Sequence, residues 1–192
     1  MKSVFLACVL LAAPIAASAQ TPPAIEARTA IGASHYLHSD LGYTAPTLLV
    51  SLRIGKGSFA VEPEFAVAWH EETQKFGFGT APVTTTTSAS RFQSFGVNLL
   101  ARSGGRVSGF AGGGLGAYWE RYRYSVSAPA NSYEQIRTQG PRAGAQLVGG
   151  VDVPITNRIK AFGQGRYEMR SFDDPGGGSV LQGFGGIAIA IR

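Results

Sequence analysis

The chain holds a single cysteine, Cys8, inside an apolar run near its start. That excludes a disulfide framework or a thiolate metal cluster for the rest of the chain. Charge is scarce as well. Only 15% of the 192 residues are charged, against about 25% in an ordinary soluble domain. No stretch reaches about 18 consecutive apolar residues, so a membrane-spanning helix is excluded. No basic run marks a nucleic-acid surface. No repeat of about 20 to 50 residues points to a solenoid. The positive excess is small, a formal net charge of +5.

Met1 to Ala19 reads as a cleaved secretory signal peptide. Lys2 supplies the positive start and Val4 to Ala13 the apolar run. Pro14 breaks that run, and Ala17-Ser18-Ala19 is the cleavage site before Gln20. Cys8 leaves with the leader. Residues 20–192 are then one domain's worth of chain, with no disulfide to staple it.

Against these absences stands an abundance of glycine, 26 residues, and a persistent period of two. Ile187, Ile189 and Ile191 alternate with Ala188 and Ala190. Between Ile159 and Arg170, one parity carries Gln164, Arg166, Glu168 and Arg170. The other carries Ala161, Gly163, Gly165, Tyr167 and Met169. Eight such segments occur: Ala24 to His35, Ala45 to Gly55, Phe59 to His70, Arg91 to Arg102, Arg106 to Tyr124, Gly140 to Pro154, Arg158 to Phe172, and the C-terminal segment. Alternation over segments of this length predicts half-buried strands. Tight turns fall near Gly57, Gly104 and Asn157. Longer connections fall near Leu41, Thr85, Asn131 and Gly176, with Glu71–Ser90 and Ser125–Gln139 the longest. Short turns at one end and long loops at the other, with an even number of strands, predict an all-β, eight-stranded antiparallel up-and-down transmembrane β-barrel.

Period two alone does not say which face points outward; the contents of each face decide. One set holds Leu48, Val50, Leu52, Ile54, Val61, Phe65, Val67, Trp69, Phe95, Val97, Leu99, Leu147, Val151 and Val153. The other holds Glu26, Arg28, Arg53, Glu62, Glu64, Asn98, Arg102, Gln146, Asp152, Lys160, Arg166, Glu168 and Arg170. An arginine or lysine facing lipid near the midplane costs about 2–4 kcal/mol. A lumen lets opposite charges satisfy one another. The aliphatic set therefore faces acyl chains, and the charged set is a polar network inside the barrel. Tyr36, Trp69, Phe92, Tyr118, Trp119, Tyr122 and Tyr124 gather near the long-loop ends, where an interface girdle is expected.

Other constellations carry little chemistry. Gly112 to Ala117 matches G-x-G-x-x-A, but a strand-like Tyr118-Trp119-Glu120-Arg121-Tyr122 follows where a nucleotide site needs a helix. Glycine there lets bulky neighbours fit inside. His35, His38 and His70 read as isolated loop or interface histidines. Asp173-Asp174 reads as a solvated hairpin tip. No metal or cofactor is expected.

Leader, alternating strands, short turns and longer loops together resemble the small outer-membrane barrels of the OmpA/OmpX/OmpW kind. The glycine-aromatic texture of Gly109 to Tyr118 is similar to a strand of that superfamily. The resemblance implies a bacterial outer-membrane location. It also implies outer-membrane lipids and the barrel-insertion machinery as partners, and no nucleic acid. Some eight-stranded barrels are lipid A deacylases, which use a histidine and a serine two positions apart. No H-x-S triplet occurs here, so no catalytic residue carries over. The expected function is non-enzymatic: a barrel plugged by ion pairs, acting in envelope integrity or in surface adhesion through its loops. An extracellular ligand would engage those loops. A narrow channel for small solutes is the alternative, and a lipid-modifying enzyme a more distant one.

Overall fold

The computed structural model describes residues 24–37, 44–77, 83–128, 131–170 and 178–191. Eight strands follow one another: β1 (Ala24–Tyr36), β2 (Thr44–Lys56), β3 (Phe59–Phe76), β4 (Thr84–Arg102), β5 (Ser108–Ser127), β6 (Ser132–Pro154), β7 (Ile159–Arg170) and β8 (Ser179–Ala190). Each pairs antiparallel with its neighbour, and β1 pairs with β8 to close the ring. Closure leaves the sheet without a free edge along its shared height, the condition for crossing an apolar medium. The leader, His38 and Asp173-Asp174 lie outside the described residues.

Alternation maps onto the two faces of the wall. On β2, Thr47, Leu49, Ser51 and Arg53 are buried, while Leu48, Val50, Leu52 and Ile54 are exposed. On β8, Val180, Gln182, Phe184 and Ala188 point inward, and Leu181, Ile187 and Ile189 point outward. A wall with aliphatic residues outside and arginines and glutamates inside is a soluble barrel reversed.

The tight turns occupy one end. Gly57, with φ of +62°, joins β2 to β3. The segments 103–107 and 155–158 join β4 to β5 and β6 to β7. Thr156 caps the latter, its Oγ1 accepting from the amides of Arg158 (3.2 Å) and Ile159 (3.0 Å).

At the other end the structure corrects the sequence reading. Glu71–Ser90 and Ser125–Gln139 are mostly strand, not irregular loops. β3 and β4 stay paired to Phe76↔Thr84. β5 and β6 stay paired to Ser127↔Ser132, where the amide of Ala128 donates to the Asn131 carbonyl (3.0 Å). Polar runs such as Thr84 to Ser88 lack an apolar parity. Their β-branched residues and an unbroken ladder still hold them extended. β3 to β6 therefore rise above the short strands as a four-stranded sheet. A β-bulge lies where wall becomes projection, setting Trp119 against Gly140 and Pro141.

Candidate functional site: a filled lumen and a projecting sheet

All eleven charged residues of the expected interior network face the lumen. Eight are buried: Glu26, Arg28, Arg53, Glu62, Glu64, Asp152, Arg166 and Glu168. Arg102, Lys160 and Arg170 lie nearer the mouths and keep partial exposure. Inward parity places them, and ion pairs link them in two groups.

The first group lies toward the tight-turn end. Arg53 donates through Nε to Glu62 (2.5 Å) and through Nη1 to Asp152 (2.8 Å). Arg28 donates to the other oxygen of Asp152 (3.0 Å) and sits 3.6 Å from Glu26. Asp152 thus bridges arginines of β1 and β2 from across the barrel. Lys160 pairs with Glu26, and Arg102 approaches the same carboxylate at 3.9 Å. Ser51 donates to Glu62 at 2.8 Å. The arginine planes rest on aromatic rings, Arg28 3.9 Å from the Phe162 centroid and Arg53 4.0 Å from that of Phe110. A planar guanidinium can lie flat on such a ring while its edge still donates hydrogen bonds, which an ammonium cannot do.

The second group lies toward the projecting sheet. Arg166 Nη1 donates to Glu64 (2.5 Å) and Glu168 (3.2 Å). Gln146 Nε2 donates to Glu64 (2.7 Å) and to Asn98 (2.6 Å). Arg170 grips Glu168 through Nε (3.1 Å) and Nη2 (2.8 Å). Above it Tyr36, Phe92 and Tyr118 surround the guanidinium, with centroids at 5.3, 5.7 and 5.1 Å.

These last three rings correct the expected girdle. Tyr36, Phe92 and Tyr118 share inward parity and are buried. Only Trp69 and Trp119 of that set take the outward parity; Tyr122 and Tyr124 lie on the lumen-side parity of the projecting sheet. Proximity to a strand end does not fix direction; parity does. Parity was also the signal for Phe110, Phe162 and Phe184, absent from the expected interior set although Phe162 alternates in step with Gln164 and Arg166.

Small residues make the room. A Cβ at Gly150 would lie 2.6 Å from the Phe110 ring, and one at Gly144 would lie 2.7 Å from that of Tyr118. Gly112 and Gly114 belong to a strand paired on both sides. No helix follows them to receive a phosphate. Among the described residues no cluster of three His, Cys, Asp or Glu side chains has the arrangement of a metal site. His35 instead pairs through Nδ1 with Thr44 Oγ1 at 3.1 Å.

No protein-family model matches this chain, and no curated protein matches it. Solved structures do. The attachment invasion locus protein Ail of Yersinia pestis, in complex with the heparin analogue sucrose octasulfate, superposes with a TM-score of 0.59 at 13% identity. The match covers 89% of this chain and 100% of that one. The outer-membrane protease OmpT of Escherichia coli gives a TM-score of 0.51 at 6% identity, covering 89% of this chain and 98% of that one. At such identities the likeness concerns the fold alone. That fold is the one of the small outer-membrane β-barrels.

Proposed function

We infer that this protein is a non-enzymatic barrel of the bacterial outer membrane. It is exported through a signal peptide, Met1 to Ala19, that is then cleaved, and seated by the barrel-insertion machinery. Its lumen is closed by ion pairs, so its work is done at the outside, by the sheet of β3 to β6. The observation that carries this reading is the contrast between a lumen packed with paired charge and a polar sheet standing clear of the wall. Residues 71–76 and 132–134 of that sheet are exposed. They supply threonine, glutamine, tyrosine and charges of both signs for an extracellular ligand. The likeness to Ail, crystallised with a heparin analogue, supports surface adhesion as the form this work takes; envelope integrity is the coarser reading.

The test is twofold. Purified from membranes, the folded barrel is expected to change gel mobility on boiling. In planar bilayers it is expected to conduct no more than the bare bilayer. A stable open conductance would replace the plug with a channel. Recovery as a soluble periplasmic protein would end the outer-membrane reading.

A further inference from the structure

The outward face of the tall strands changes chemistry within one step. Phe65 faces Phe95, and Val67 faces Gln93, which in turn faces Trp119. In the next outward row Trp69 faces Arg91, and Arg91 directly faces Arg121. One row further Glu71 faces Ala89, which faces Arg123. The apolar band thus ends at the chain's two tryptophans, and two arginines sit opposite each other at that boundary.

Like charges directly opposite on paired strands are unfavourable. Arg123 is relieved, its Nε donating to Glu134 at 2.8 Å. Arg91 and Arg121 form no ion pair among the described residues, although Glu71 lies on the same face one row along. Both are exposed, on rigid paired backbone rather than on a loop tip. Side chains directly opposite have Cβ atoms about 5 Å apart, so two guanidinium forks can close on a single phosphate. Tryptophan at the same level fixes the depth as that of lipid headgroups.

We propose that Arg91 and Arg121 form a clamp for the phosphate of an anionic lipid headgroup, in the leaflet on the projecting-sheet side. The inference rests on the membrane reading above. The lipid neutralises the cross-strand charge pair and ties the base of the projecting sheet to the bilayer surface.

Because Trp69 and Trp119 flank the clamp and are the chain's only tryptophans, their fluorescence reports it. The folded barrel is placed in phosphatidylcholine vesicles in which either a tenth of the phosphatidylcholine or added phosphatidic acid carries brominated acyl chains. Brominated phosphatidic acid is expected to quench in excess of its bulk fraction. Each arginine contributes about five-fold, the factor equivalent to roughly 1 kcal/mol per basic residue near anionic lipid. Arg91→Gln and Arg121→Gln are each expected to reduce the excess and together to abolish it, whereas Arg91→Lys retains part. The boiling-dependent gel shift certifies that each variant is folded; if the double variant does not fold, the two single variants decide. Equal quenching by the two lipids, or an excess unchanged in the variants, overturns the clamp and leaves the membrane barrel standing. Loss of the excess on adding millimolar inorganic phosphate assigns the site to a soluble anion and overturns the lipid. No quenching by either lipid defeats the membrane reading, and the clamp with it.

Discussion

The wall has two unequal halves. β7, β8, β1 and β2 contain 12 or 13 residues each, and β3 to β6 contain 18 to 23. Twelve or so tilted residues suffice to cross a bilayer, so the short half is little more than span. The outward faces differ too. β7 and β8 present Gly163, Gly165, Gly183 and Gly185, while β3, β4 and β5 present Phe65, Phe95, Leu99 and Leu115. Yet the halves share one interior. Arg166 of β7 holds Glu64 of β3, and the arginines of β1 and β2 hold Asp152 of β6. Height was free to vary on one side because the lumen contacts that unite the halves lie within the height common to both.

The most severe way to break that unity is Asp152→Ala. It leaves Arg28 and Arg53 without their shared carboxylate. Removing one partner of a buried pair costs about 3–5 kcal/mol. The urea midpoint of the folded barrel in detergent should fall accordingly; an unchanged midpoint would mean that Glu26 and Glu62 suffice for the two arginines.

Glycine sharpens the comparison at smaller cost. Gly150 of β6 faces the Phe110 ring, whereas a Cβ at Gly163 of β7 would meet nothing within 4 Å. Gly150→Ala is expected to destabilise by about 1–3 kcal/mol through overpacking. Gly163→Ala should stay within about 0.5 kcal/mol of the parent. Equal effects in the same unfolding assay would contradict the inward and outward assignments.

Replacing residues 72–88 with a two-residue turn cuts the β3–β4 projection to the height of the short half. The barrel is expected to keep its boiling-dependent gel shift and lose less than about 1 kcal/mol, since closing a shorter loop offsets part of the lost pairing. Failure to fold would make the projection part of the folding unit and not an appendage.

The gentlest test separates exposed from buried charge. Arg123 and Glu134 are both about half exposed. A double-mutant cycle on that pair should return less than about 1 kcal/mol, and less still in high salt. A coupling as large as the Asp152 effect would mean that the projecting sheet is not solvated.

Much of this was legible one strand at a time. The alternation of Leu48, Val50, Leu52 and Ile54 with buried partners needs only the pleat, in which successive side chains take opposite faces. The inward set from Glu26 to Arg170 follows from the cost of charge in hydrocarbon. The projecting hairpins were not legible, because Thr84 to Ser88 and residues 132–139 have no apolar parity to read. Their extended state comes from the ladder begun in the wall below. The inward turn of Tyr36, Phe92 and Tyr118 was obscured by where they stand along the strands, at a level where outward aromatics are also expected.

The sequence by itself determined the architecture and its polarity: eight crossings, tight turns at one end, oil-facing rows outside and charge within. These are local consequences of a two-residue repeat and a fixed bilayer thickness. Only the tertiary structure decided which carboxylate each arginine holds, that Asp152 serves two of them, and that Arg91 stands against Arg121. Those facts depend on register and on contact across the lumen between residues as far apart in sequence as Arg28 and Asp152, and a strand read alone carries no record of its partner's register.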